Sequence, residues 1–294
     1  MDPQHQQLAA IAYNILGSWQ DSEDIVQEVL LERLRHENAA IENEKAYLVR
    51  AIINRSVSLK SRLQKNRSAY PGPWLPEPVE TEGADYALSR KDILSYSLMI
   101  LMEKLDARSR AVFILKEAFD YSHHDIAEAL DISVQNSRQI LNRARKQLGN
   151  LDACTPAGGK AIDLAQYIDL IHRGDTARLE TLLHADIMTT SDGGGKAVAA
   201  LHPLQGKDLV MPFIAGIYRK FYSGAEIIAG RANHQPAIYF FEQGQLVNCQ
   251  IMELCDGVVS RIYFMRNPDK LSALQAALGK KANFVSLPEP DTVS

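Results

Sequence analysis

The stretch from Tyr121 to Leu148, YSHHDIAEALDISVQNSRQILNRARKQL, admits little besides two short helices joined by a tight turn. Ser122 is placed to cap the first helix, with Asp125 three residues on as a shortened capping box, and Ile126, Ala127 and Leu130 then share one face. Ala127 is small where two helices must approach closely. Asp131 and Ile132 form the turn, and Ser133 caps a second helix whose apolar face is Val134, Ile140, Leu141, Ala144 and Leu148. Its other face carries Asn136, Arg138, Gln139, Asn142, Arg143, Arg145 and Lys146. No acidic residue occurs from Ser133 to Leu148, so four positive charges stand unopposed on this helix. Arg, Asn and Gln bond bidentately to guanine and adenine edges, which makes a DNA-reading helix-turn-helix the expectation. The competing reading is a basic amphipathic helix with a solvated face.

Charge is segregated upstream as well. From Asp21 to Glu44 there are eight acidic residues against two arginines, whereas Lys45 to Arg67 holds seven basic residues and none acidic. In the first segment Asp21 is expected to cap a helix, with Asp24 completing the box. Ile25, Val26, Val29, Leu30 and Leu34 would be buried, leaving Asp24, Gln27, Glu28 and Glu32 outward, a face suited to a basic protein surface. In the second, Leu48, Ala51, Ile52, Arg55, Leu59 and Leu63 recur at helical spacing. Tyr47, Asn54, Ser58, Lys60, Arg62, Lys65 and Arg67 are then available to phosphates and bases. The segment His36 to Tyr47 lies between them. Two ordinary bundle helices with solvated charges are the alternative.

Tyr70 to Asp85, YPGPWLPEPVETEGAD, has four prolines, two glycines and four acidic residues. It is excluded from helices and central strands and reads as an extended linker. Trp74 and Leu75 are out of place in a pure spacer and are expected to be anchored, against another part of the chain or against a helical neighbour. A helix is expected from Tyr86 to Glu103.

The remaining half changes character. Ala161 to Gly174, Arg178 to Leu183 and Leu209 to Phe221 read as helices. After Gly224 come four β-like runs, AEIIAGRAN, PAIYFFEQ, QLVNCQIMEL and VVSRIYFMR, separated by hairpin punctuators. Helices followed by a curved antiparallel sheet form an α+β cone that can enclose a ligand. The three glycines of Asp192, Gly193, Gly194, Gly195 and Lys196 expose backbone that another segment can approach closely. Domain contact, a catalytic loop and a simple tight turn are all open to such a loop. Domain contact with the Trp74 to Pro78 segment is the favoured expectation.

DSEDIVQEVLLERL, KAYLVRAIINRSVSLKSR and LDARSRAVFILKEAFDYSHHDIAEALDISVQNSRQILNRARKQL resemble, in order, regions 2 and 4 of bacterial extracytoplasmic-function sigma factors. The second half resembles the SnoaL-like, NTF2-like extensions of one group of them, with Trp74, Leu75, Pro76, Glu77 and Pro78 (WLPEP), the DGGGK loop and NPDKL at Asn267 to Leu271 as supporting motifs. The resemblance implies a multidomain chain: an all-α region 2 domain (1–69), a linker (70–85), a region 4 helix-turn-helix domain (86–150), an α+β cone (160–279) and a tail (280–294). It implies that Asp24, Gln27 and Glu28 dock on core RNA polymerase, whose β′ clamp and β flap are the expected contacts. Asn54, Lys60 and Arg62 would contact the −10 element of promoter DNA, and Asn136, Arg138, Gln139, Asn142 and Arg143 the −35 element. The resemblance also implies capture of an unstacked base by the segment His36 to Tyr47. Ser137 departs from the family, which usually places an apolar residue there.

The competing function is a one-component regulator with a ligand-binding cone, which has no use for the charge layout of Asp21 to Arg67. An isomerase or cyclase is the third reading, with His184, Asp186, Asp192, Tyr218, His234 and Tyr239 as candidate liners, but no pair has a diagnostic spacing. A regulatory cone, open to a small-molecule ligand, is therefore expected, not an enzyme. Cys154, Cys249 and Cys255 are unevenly spaced, so no disulfide framework, metal site or cofactor is expected. The N-terminus lacks the basic and apolar regions of a signal peptide and no apolar run is long enough to span a bilayer, which points to the cytoplasm and away from membranes.

Overall fold

The computed structural model describes residues 3–35, 43–82, 92–149, 162–222 and 224–279. Residues 36–42 of the expected base-capture segment, the start of the helix expected from Tyr86, Cys154 and the tail from residue 280 lie outside them. The chain forms two compact units, Met1–Ala69 with Ala84–Asn150, and Tyr70–Gly83 with Leu151–Ser294. The two helical regions thus share one unit, and the linker belongs with the C-terminal one.

The first unit is built from α1 (Pro3–Leu16), α2 (Trp19–Arg35), α3 (Glu44–Asn66), α4 (Tyr96–Leu101), α5 (Ala107–Glu117), α6 (His123–Leu130) and α7 (Val134–Leu148). Helix α1 is buried from Leu8 to Leu16 and packs on α2, α3 and α5. A helix apolar on every side has no stripe to announce it, which is why periodicity did not find this one. Its one buried amide, Asn14, donates to the Asp92 carbonyl at 2.6 Å and accepts from the Leu94 N–H at 3.2 Å.

Helix α2 starts two residues before the expected cap. Ser18 Oγ accepts the Asp21 N–H at 3.2 Å, so Asp21 is an acidic first-turn residue, not the cap. Ile25, Val26 and Val29 are buried as expected, but Leu34 is 59% exposed. Arg55 leaves the expected inner stripe of α3 and pairs with Glu28 and Glu32 of α2. In the helix-turn-helix, Ser122 and Asp125 cap each other reciprocally, Asp131 takes the left-handed conformation that reverses the chain (φ 51), and Ser133 accepts the Asn136 N–H at 3.1 Å.

The second unit comprises α8 (Leu164–Arg173), α9 (Thr176–Thr181), β1 (Leu183–Asp192), β2 (Leu204–Gln205), α10 (Lys207–Ile217), β3 (Glu226–Ala232), β4 (Gln235–Glu242), β5 (Gln245–Cys255), β6 (Val258–Met265) and α11 (Pro268–Gly279). The sheet order is β2-β1-β6-β5-β4-β3, with β1 parallel to β6 and the other pairs antiparallel. The four expected runs are β3 to β6. Strands β1 and β2 and helix α11 were not anticipated. One sheet face, with Ile187, Ile238, Phe240, Met252, Ile262 and Phe264, packs under Tyr167 and Ile168 of α8 and Val210 and Ile214 of α10. Cys249 is buried and free, whereas Cys255 is disulfide-bonded, a correction to the reading of the cysteines.

Candidate functional site

Helix α7 presents Asn136, Arg138, Gln139, Asn142 and Arg143 to solvent, all on the face opposite buried Leu141, Ala144 and Leu148. Ser137 turns inward and is fully buried, its hydroxyl 2.9 Å from His123 Nδ1. A polar residue is tolerated there because α6 supplies the partner. Burial first, and then the like charge of Arg138, hold the His123 imidazole below its usual pKa. On α2, Asp24, Gln27 and Glu28 are exposed, with Glu28 partly engaged by Arg55.

The expected −10 residues on α3 separate. Arg62 is exposed. Asn54 donates its amide to the carbonyls of Ala129 in α6, at 2.9 Å, and Arg50, at 3.0 Å. Lys60 is buried, a correction to its placement on the outer face. Its ammonium donates to the Leu16 carbonyl at 2.8 Å and to Glu103 at 2.9 and 3.1 Å, and Glu103 also pairs with Arg67 and Arg110. Arg110, fully buried, further donates to the Asn14 carbonyl at 2.8 Å. Burial alone would raise the Glu103 carboxyl, but Arg110, Lys60 and Arg67 outweigh it and hold it down at about 2. Lys60 is pushed well below its usual range by burial and by Arg110, with Glu103 opposing. The signal for this cluster was a basic residue on α3 in step with buried Ile52 and Ser56, invisible without the position of Glu103.

In the second unit the three motifs meet. Asp192, at the end of β1, is fully buried and divides its carboxylate between two segments. Oδ1 accepts from the Tyr70 hydroxyl at 2.6 Å and the Gly194 N–H at 3.0 Å, while Oδ2 accepts from the Leu75 N–H at 2.9 Å and Lys270 Nζ at 2.7 Å. Lys270 also donates to the Leu75 carbonyl at 2.7 Å and stands 4.1 Å from the Trp74 ring centroid and 5.0 Å from that of Tyr70. Asn267 donates to the Tyr70 hydroxyl at 3.0 Å. Burial and the acceptor Asp192 both push that phenol upward. Leu75, Pro76, Glu77, Pro78 and Val79 are buried. Gly194 and Gly195 have φ of +60° and +73°, and a Cβ on Gly195 would lie 2.8 Å from Pro71 Cγ, so the glycines admit the linker to main-chain distance. Lys196 pairs with Asp269 at 2.6 Å.

The linker then runs along the free edge of β3. Asn233 Oδ1 accepts the Val79 N–H at 2.9 Å, the Asn233 N–H donates to the Val79 carbonyl at 2.8 Å, Thr81 donates to the Arg231 carbonyl at 3.2 Å, and Glu80 bridges Ala232. Backbone groups that an edge strand leaves unpaired are satisfied by the linker. The candidate enzymatic liners are not assembled: Asp192 is committed to the linker, His184 accepts the Asp186 N–H, and Tyr239 donates to the Arg231 carbonyl.

The family model for sigma-70 region 2 matches residues 3–66, and that for sigma-70 region 4 matches residues 97–148. The ECF RNA polymerase sigma factor SigJ of Mycobacterium tuberculosis is 27% identical over 97% of this chain and 89% of its own length. The chain carries sigma-70 regions 2 and 4 and is similar along nearly its whole length to an extracytoplasmic-function sigma factor. The crystal structure of SigJ covers 92% of the present sigma factor and 96% of SigJ, with a TM-score of 0.68 at 26% identity, so the likeness includes the NTF2-like C-terminal unit. SigG of the same organism is 27% identical over 63% of this sigma factor. As a sigma factor, the protein directs transcription initiation with core RNA polymerase on promoter DNA. Among the described residues, no helix is long and apolar enough to cross a membrane.

Proposed function

We propose that this sigma factor works in the cytoplasm and docks on the β′ clamp through Asp24, Gln27 and Glu28 and on the β flap through region 4. It reads the −10 element with α3 residues that include Asn54 and Arg62 and the −35 element with Asn136, Arg138, Gln139, Asn142 and Arg143. The exposure and donor chemistry of Arg62 and of the α7 side chains support the assignment, while Asn54 is exposed but has its amide nitrogen engaged by two backbone carbonyls. The C-terminal unit regulates the protein in cis and carries out no catalysis. One observation carries this reading: the segment joining the two DNA-facing regions is bonded to Asp192 and Lys270 of that unit. A linker held along a sheet edge has its length and path fixed, and the spacing available to regions 2 and 4 is fixed with it. Lys60 keeps no role in −10 recognition in this proposal, because freeing it from Glu103 would leave charges unpaired in the interior.

The test is promoter-specific transcription by core polymerase reconstituted with the full chain. Trp74→Ala and Leu75→Ala should change the yield while near-normal helical content is kept. Unchanged transcription by both variants would remove the regulatory reading, and failure of the unmodified chain to initiate would remove the docking and promoter assignments.

A further inference from the structure

The largely apolar inner face of the second unit carries buried polar atoms that have no partner among the described residues. Among the described residues, both amide atoms of Asn248, Oε1 of Gln250, Oγ1 of Thr189, the hydroxyls of Tyr167 and Tyr222 and Nε of Arg266 have no hydrogen-bond partner, and Asn248 and Tyr167 are 0% exposed. Strand register puts the sheet residues on one face. Asn248 pairs with Phe240, Gln250 with Phe264, and Thr189 with Ile262, all members of the inner core. Arg266 follows Met265, the partner of Cys249, so it shares a face with Asn248. Its guanidinium lies over Phe221 at 5.2 Å and Tyr222 at 5.8 Å, and Tyr222 stacks on Phe240 at 4.5 Å.

Arg266 is half-buried and donates from Nη1 to the Val198 carbonyl; among the described residues it pairs with no carboxylate. Its Nε, on the side that grips a carboxylate with two parallel bonds, has no partner among the described residues. Leaving the neighbouring groups of Asn248, Gln250 and Arg266 unmet is costly, which makes a guest that meets them the simplest account.

We propose that the cone binds a small monocarboxylate with an apolar body: the carboxylate on the Arg266 edge and Asn248, the body against Phe213, Phe240 and Phe264. The site adjoins the linker anchorage, because the Arg266 and Asn267 N–H groups both donate to the Asp192 carbonyl, at 2.8 and 3.0 Å. Occupancy would therefore be felt at Asp192. Binding itself does not rest on the regulatory reading, whereas an effect on transcription does.

The full chain is heated with hexanoate, benzoate, hexanol, benzamide or inorganic phosphate, and affinities are taken from calorimetric titration. Hexanoate or benzoate should raise Tm saturably while the uncharged analogues do not, and Arg266→Gln should weaken binding about ten-fold or more. Arg266→Lys, which keeps the charge but loses the fork, should weaken it too and stands in if the glutamine variant does not fold. The proposal is overturned if neither carboxylate gives saturable stabilisation at about 10 mM, a concentration that would detect even millimolar affinity. It is equally overturned if phosphate matches the carboxylates, or if both Arg266 variants bind like the original. Binding without any change in transcription would leave the site in place and remove only its coupling to the linker.

Discussion

Asp192 Oδ2 accepts the backbone N–H of Leu75 at 2.9 Å, across 117 positions of sequence. The same oxygen receives the ammonium of Lys270, whose side chain is 9% exposed beside a fully buried carboxylate. One carboxylate thus neutralises a cation and fixes a chain segment.

Asp192→Ala should therefore destabilise the second unit by about 3–5 kcal/mol, since it strands a buried ammonium and a buried N–H together. Urea denaturation measures the loss, and limited proteolysis should show cleavage between Tyr70 and Glu82 that the unmodified protein resists. A loss below about 1 kcal/mol would contradict the arrangement.

Gly195→Ala meets two obstacles, a φ of +73° and Pro71 Cγ 2.8 Å from the new Cβ. A cost of about 1–2 kcal/mol is expected, read as a lower denaturation midpoint with an unchanged slope. Gly244, also at positive φ but with open space around it, should show only the conformational part of that cost.

Glu103→Gln removes the carboxylate that Lys60, Arg67 and Arg110 share. With the side chains of Lys60 and Arg110 fully buried, the first unit should lose about 3–5 kcal/mol, and replacing exposed Arg62 by Ala should leave stability nearly unchanged.

The pH dependence of that unit follows from the same carboxyl. Its folded-state pKa of about 2 lies below the usual 4.5, so the unfolded chain binds the proton more readily. Its contribution to stability is fully present above pH 4.5 and is lost as pH falls towards 2. Glu103→Gln should flatten the acid limb of the stability profile in that window.

Arg138→Ala should leave thermal stability unchanged, because the side chain is exposed. If Arg138 reads a base edge, the variant loses about 1–3 kcal/mol of discrimination at one promoter position. A uniform loss across sequences, with a smaller salt slope, would make it a phosphate contact instead.

Where residues nearby in sequence settle their own conformation, the chain was readable. Ser122, Asp125, Asp131 and Ser133 specify caps and a turn within a few residues, and their geometry follows from local hydrogen bonding. The alternation in β3 to β6 and the punctuators between them are local in the same sense. Helix α1 carries no such signal, since burial on all sides erases periodicity, and β1 was hidden because it pairs in parallel with β6, far along the chain.

The candidate site divides along the same line. Composition and order alone determined a segregated charge layout, a capped helix-turn-helix and three motifs of unusual make-up. Helical phase puts Lys60 in step with Ile52 and Ser56 and turns Arg62 away, but only tertiary structure decided that Glu103 meets the buried ammonium. Tertiary structure alone likewise brought Trp74, Asp192 and Lys270 into contact. The free energy of burying a charge depends on which opposite charge shares its enclosure, and that neighbour is chosen by the fold.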